Sequence, residues 1–210
     1  MTDASRAALS ILRDPSDLQW YLIPLLAFVI YVYAVEIERR NWDVILAGLA
    51  FYGLEWLLEI LNALVLHWTG HSAVWTAPGH TAFLLLVGLN IEISMMFAVA
   101  GVAFTKMLPW DPKAKILGLS NRWFFVVANS VFCVLVEVLL NRAGLLVWAY
   151  PWWNWPNVWL IILIGYMPYM IVSFWVHDTP RMANKIATVA GLFAVDFVGF
   201  VVFAGLLHWI

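Results

Sequence analysis

Apolar runs of near-bilayer length recur along almost the whole chain, separated by short polar segments. A spanning helix needs about 20 mostly apolar residues. The runs at residues 18–35, 44–66, 81–108, 123–148, 158–176 and 186–209 approach or exceed that length. Before them, Ala4, Ala7, Ala8, Ile11 and Leu12 share one side of a brief interfacial helix ending near Pro15. Pro24 falls in the first turns of the first run, where proline is tolerated, and Pro168 interrupts the fifth. No polar stretch is long enough for a linker or a second domain. The pattern therefore predicts an all-α, polytopic membrane protein: one domain, residues 1–210, built as a bundle of six transmembrane helices.

Composition agrees. The chain is 64% hydrophobic and 11% charged, against about 25% charged in a soluble domain. No basic run suggests nucleic acid, so the expected partners are membrane lipid and an apolar small molecule; composition leaves the oligomeric state open. The basic residues Arg39, Arg40, Lys106, Lys113, Lys115, Arg122, Arg181 and Lys185 follow the first, third and fifth runs. The positive-inside rule places those loops in the cytoplasm and both termini outside, the arrangement of a bacterial inner-membrane protein. The first run ends at Arg39-Arg40 without a small-residue cleavage site, so it reads as a retained helix. Trp75, Gly88 and Phe97 align with Trp152, Gly165 and Phe174 at a constant offset, which would suit two parallel three-helix repeats.

Candidate chemistry lies inside the apolar runs. Within GLEWLLEILN, residues 53–62, Glu55, Glu59 and Asn62 are spaced i, i+4, i+7 and share one helical face. A charge at bilayer depth costs at least about 2.5–3.5 kcal/mol, so each acid needs a proton, a partner or water. Counted at 1.5 Å per residue, Glu55, Glu92, Glu137 and Asp196 fall within about one turn of a common depth on four spans. No basic residue shares that depth. Crowded acids in low dielectric favour protonation, and a neutral acid beside an ionised one is what proton chemistry uses. These four are the candidate catalytic residues. Arg142 is expected to pair with Glu59. Asn62, Asn90, Asn129 and Asn141 suit interhelical hydrogen bonds, Asn62 and Asn141 being close enough to the acids to touch a substrate as well.

Most of the 14 tryptophans lie near run ends and suit an interfacial belt. The segment YPWWNWP is denser than a belt requires and is placed to roof a cavity. His67, His71 and His80 share one outer loop, the first two at metal-ligand spacing, but Thr69-Gly70 interrupts the helix between them. No metal and no cofactor is expected. Mid-span histidine pairs for haem, a last-helix lysine for retinal and paired aspartates for Mg²⁺-diphosphate are all missing. The single Cys133 reads as a buried small hydrophobe and excludes an intrachain disulfide.

Two fragments resemble the integral-membrane terpenoid cyclases, both the lycopene-cyclase and the fungal meroterpenoid-cyclase types. Gly88-Leu89-Asn90-Ile91-Glu92, running into Met95-Met96-Phe97, resembles the lycopene cyclases' Pro-Ile-Glu-Glu-aromatic segment, with Asn90 and Ile93 replacing proline and the second glutamate. Leu54-Glu55-Trp56, and Val195-Asp196 followed by Gly199 and Phe200, are similar to the acidic positions of the fungal type, with Glu-Trp reversed and one helix fewer. The resemblance implies an intramembrane enzyme that protonates an apolar isoprenoid or lipid, as a cyclase or isomerase. Glu55 or Asp196 would be the acid and Glu92 or Glu137 the other member. Tyr52, Trp56, Tyr166, Tyr169 and Phe197 would face the carbocation. Mid-span acids and a proline-broken helix equally suit a proton-coupled transporter of a small solute, and the small size suits an accessory subunit of a membrane complex.

Overall fold

The computed structural model describes residues 1–210, the side chain of Asp17 aside, and is an all-α integral membrane protein with only two- and three-residue strands. The expected N-terminal helix is α1, Asp3–Ser10; Thr2 caps it by accepting from the Ser5 amide. The long helices are α2 (Leu22–Glu38), α3 (Trp42–Thr69), α4 (Ile91–Lys106), α5 (Asn121–Arg142), α6 (Val158–Asp178) and α7 (Met182–Leu206). Of these, α3, α5, α6 and α7 are long and apolar enough to cross a membrane. The short strands are β1 (Trp75–Thr76), β2 (Leu84–Leu86), β3 (Leu89–Asn90), β4 (Lys115–Ile116), β5 (Leu119–Ser120) and β6 (Val147–Trp148), paired β1–β6, β2–β3 and β4–β5, all antiparallel.

The axis of the fold is α3. It has 28 residues and packs against α2, α4, α6 and α7. Its buried face carries Phe51, Glu55, Glu59, Asn62 and Leu66, whereas α7 turns most of its surface outward. At the basic end of the bundle, ion pairs tie neighbouring helix ends together. Lys106 of α4 reaches Glu36 of α2 at 2.5 Å, and Lys185 of α7 reaches Asp43 of α3 at 2.5 Å. Arg122 of α5 clasps Asp178 of α6 through two nitrogens, at 2.7 and 2.8 Å.

The sequence places a helix over residues 81–108, and the structure corrects its first third. Residues 84–90 form the β2–β3 hairpin, with Leu84 opposite Asn90 and Leu86 opposite Leu89, and α4 starts only at Ile91. Asn90 decides the boundary: its backbone is extended and its side chain accepts from the Ile93 amide at 2.8 Å. Leu84, Leu86 and Leu89, expected within a spanning helix, are instead fully buried in strands, in one cluster with Ile60, Ala63 and Leu64 of α3 and Ala8 of α1. An apolar run this short does not separate a buried strand from a helix. The fourth span likewise ends early, at Arg142, and the chain turns into β6. In α6 a π-helical turn, Ile161–Tyr166, precedes Pro168 and absorbs the amide that proline lacks.

Candidate acid cavity

A cavity of about 330 Å³ lies between α3, α4, α5 and α6 and is closed at the loop end by β1 and the 150–157 segment. Three carboxyl groups line it: Glu55 and Glu59 from successive turns of α3, and Glu137 from α5. Glu55 is 2%, Glu59 3% and Glu137 8% exposed. No lysine, arginine or histidine lines the cavity. The remaining wall is aromatic and aliphatic, including Trp75, Trp152, Trp153, Phe97, Tyr166 and Tyr169. Trp75 stacks on Trp153 with centroids 5.8 Å apart, and Phe97 and Tyr169 meet at 5.6 Å.

Each acid is held by a neutral donor. Tyr169 donates its hydroxyl to Glu55 at 2.6 Å. The Trp75 indole donates to Glu59 at 2.7 Å, and the Asn62 amide reaches the other oxygen at 3.5 Å. The Trp148 indole donates to Glu137 at 2.9 Å, and the Tyr166 hydroxyl faces the same carboxyl. The donors come from places that only the fold brings together. Trp75 and Trp148 are cross-strand partners in β1–β6, so one short ladder sets the indoles of two different acids.

Asn62 fixes that ladder to α3. Its carbonyl accepts from the Val74 and Trp75 amides at 2.8 and 3.2 Å, and its NH₂ donates to the Trp75 carbonyl at 2.8 Å. Gly88, in the turn between β2 and β3, presses against the same group. A Cβ there would lie 2.5 Å from Asn62 Nδ2, 2.6 Å from Glu59 Oε2 and 2.7 Å from Trp75 Cδ1. Only a residue without a side chain lets the hairpin approach the acid this closely.

Glu55, Glu137, Tyr166, Tyr169 and Asn62 of the expected set thus meet in one cavity, and the others lie elsewhere. Glu92 is in the first turn of α4, because that helix starts ten residues later than the apolar run suggests. It accepts from Tyr21, from Thr81 at 2.5 Å and from the Ala82 amide at 2.8 Å, tying α2, the loop and α4 together. Asp196 lies across α7 against Gly53 of α3, two residues and about 200° around the helix from Glu55. It is 5% exposed, and neither oxygen has a hydrogen-bond partner among the described residues. Tyr52 hydrogen-bonds Ser94 at 2.8 Å, and Trp56 packs edge-on against Phe200. Phe197 is 71% exposed and faces outward, which removes it from any cation-facing wall. Asn141 donates to the Leu146 carbonyl, closing the end of α5.

The expected Arg142–Glu59 ion pair does not form. Arg142 closes α5 on the exposed surface, while Glu59 points inward to Trp75 and Asn62. His67 stacks on Trp209 at 4.6 Å and His71 meets the edge of Tyr150, so the two diverge. Sequence reasoning missed Glu59 as a cavity acid, though its i+4 spacing from Glu55 carried the signal. It also missed Trp75, Trp148 and Gly88, which act through strand pairing that no periodicity announces. Trp152 and Trp153 do line the cavity, as the tryptophan density of their loop suggested.

Comparison with known proteins agrees on class. An "Uncharacterized membrane protein family" matches residues 2–205. An uncharacterized protein of Archaeoglobus fulgidus is 54% identical over 209 residues, covering 100% of this chain and 99% of the relative. A second uncharacterized protein of that organism is 31% identical over 51 residues, 24% of this chain and 91% of the relative. No solved structure matches.

Proposed function

We propose, for a chain that belongs to this uncharacterized membrane protein family, an intramembrane acid–base enzyme of the cyclase or isomerase type, acting on an apolar isoprenoid or lipid. The observation that carries the reading is three buried carboxyls in one aromatic-lined cavity with no lysine, arginine or histidine among its lining residues. A carboxylate buried without a cation is costly, so such a cluster retains protons. Glu59 accepts from two N–H groups, the environment that suits an ionised acid. Glu55 faces a tyrosine hydroxyl, which donates to a carboxylate and accepts from an acid equally well.

In this reading Glu55 transfers its proton to an alkene carbon, forming a C–H bond and a carbocation. The faces of Tyr166, Tyr169, Phe97 and Trp153 stabilise the positive charge. Glu137 or Glu59 then removes a proton from a neighbouring carbon to restore an alkene. The sum is a rearrangement with no net change of charge or oxidation state.

The topology belongs to the same proposal. Six crossings result if α2 and α4, at 17 and 16 residues, span a bilayer with their flanking segments. The basic end is cytoplasmic and both termini are outside. Both similar proteins come from Archaeoglobus fulgidus, so the bilayer is read as a cell membrane and not as a bacterial inner membrane in particular. A parallel repeat of three-helix halves stays a proposal resting on the sequence match alone, because Gly88 turns a hairpin where Gly165 lies in the π-helical turn of α6. A proton-coupled transporter is the second reading, because three acids among aromatic faces would also hold an organic cation.

Solvent isotope separates these. Membranes containing the protein, incubated with archaeal lipid extract in D₂O, should place carbon-bound deuterium in one apolar metabolite. Glu55→Gln and Glu137→Gln should abolish labelling while folded yield persists. Labelling that is absent with the wild type, or unchanged in both variants, would refute the enzyme.

A further inference from the structure

We infer that the substrate is a single-chain prenyl compound that enters from the bilayer between α4 and α5, its tail lying in the gap between those helices. This rests on the catalytic reading of the acid cavity and adds the route and the shape of the molecule.

Although consecutive in the bundle, α4 and α5 barely touch each other; both pack on α3 or α6 instead. The gap they leave is a second cavity of about 100 Å³. It adjoins the acid cavity across a shared wall, since Met96, Phe97, Glu137, Leu140 and Tyr166 line both, and a ligand spanning the two passes between those side chains. Its far end is closed by Phe104 of α4 and Phe132 of α5, edge to face at 6.5 Å. Met96, on the rim nearer the acid cavity, is 44% exposed, so the gap reaches the outer surface of the bundle there.

The lining defines the occupant. Apart from Glu137 at the junction and the Tyr166 hydroxyl beside it, the lower cavity offers only hydrocarbon, aromatic and one thiol surface. Water there would find too few polar partners to be held, whereas an isoprenoid tail meets apolar contact throughout. A headgroup is excluded from the gap for the same reason that water is. A volume of about 100 Å³ holds a segment of one chain, and a two-chain phospholipid would have to part α4 from α5. A tail laid between Phe104 and Phe132 brings the opposite, unsaturated end past Glu137 to Glu55, where the proposed proton transfer occurs.

Photolabelling tests this. The protein in phosphatidylcholine nanodiscs would be exposed to two probes: a linear prenyl alcohol with a diazirine at its tail, and a phosphatidylcholine with a diazirine at an acyl end. The prenyl probe should label Phe104, Cys133 or Val136, which line the gap without being exposed on the outer surface. The phospholipid probe should label only outward residues such as Phe28, Leu135 and Phe197, which are 53%, 59% and 71% exposed. Ala100→Trp and, on the opposite wall, Val136→Trp should each reduce prenyl labelling in the gap about tenfold, with melting temperature reporting that each variant is folded. Identical labelling by the two probes, or full labelling of the gap in both folded tryptophan variants, overturns the portal.

The outcome is distinguishable from that of the enzyme reading. Glu55→Gln should keep the gap labelling while losing deuterium transfer. Deuterium transfer without gap labelling would sink the portal alone, and gap labelling without deuterium transfer would sink the enzyme alone.

Discussion

Gly88→Ala is the sharpest test of how the acid cavity is built. The added methyl would sit 2.5, 2.6 and 2.7 Å from atoms of Asn62, Glu59 and Trp75, all well inside van der Waals contact. None of the three neighbours has room to yield. Asn62 is committed to three backbone groups of Val74 and Trp75, Trp75 to Glu59 and Trp153, and Glu59 to Trp75 and Asn62. Overpacking of a tight core costs about 1–3 kcal/mol. Displacing Asn62 adds about 1–3 kcal/mol for each backbone group left buried without a partner. With one such group displaced, a total of about 2–6 kcal/mol corresponds to a fall in Tm of about 4–24 °C for a chain of this size. The backbone of Gly88 is not in the left-handed region, so the loss would be steric alone. Gly70 makes the control: its φ is +59° and nothing lies within 4 Å of its would-be Cβ. Gly70→Ala should cost only about 1–2 kcal/mol of backbone strain and leave the cavity intact. The assay is thermal unfolding of detergent-purified protein, read by Trp fluorescence, with deuterium transfer measured in parallel. A Gly88→Ala protein that melts within about 1 °C of the wild type and labels normally would refute this account of the cavity.

Two further outcomes follow from the buried charges. Lys106→Ala leaves Glu36, 1% exposed, with Asn41 at 2.8 Å and Arg39 at 3.8 Å, and because Lys106 is itself 41% exposed the loss should be about 1–3 kcal/mol; adding Glu36→Gln should recover most of the lost Tm, and equal melting of single and double variants would argue against the pair. Asp196→Asn replaces a partnerless buried carboxyl with a cheaper amide and should melt no lower than wild type while keeping deuterium transfer; loss of transfer in folded protein would bring Asp196 into the chemistry.

What the sequence made legible was what single helices carry. The face Glu55-Glu59-Asn62 is a property of 3.6-residue periodicity, and it survives intact on α3. The apolar runs likewise announce the membrane class. Depth counting along runs failed at Glu92, because the count assumed helix from Thr81 and the chain spends residues 84–90 on a hairpin. It failed differently at Asp196, whose height was not at issue. What mattered was which flank of α3 it meets, and a one-dimensional count contains no azimuth. Trp75 and Trp148 lay out of reach of both arguments, since they reach Glu59 and Glu137 through a two-residue ladder that pairs them across 73 positions.

That ladder explains why a polar cavity is tolerable here at all. Non-helical backbone survives near membrane depth only where protein satisfies its amides and carbonyls. The hairpin and loops do this among themselves: Ala77 donates to Val87, Ile91 to Phe83, Arg13 to Leu84 and Ala149 to Val74. Where a strand partner is missing beside β1, the Asn62 side chain supplies it from seven residues inside the end of α3. The same side chain then leaves its NH₂ within reach of Glu59, and the strand it anchors presents the Trp75 indole to that acid. Backbone satisfaction and acid positioning are therefore one structural requirement. A substitution at Asn62 cannot test the cavity's chemistry without also loosening its roof, whereas the amide variants of Glu55 and Glu137 leave Asn62 and its strand contacts in place. The chemical question is best put to those two acids, and the architectural one to Gly88.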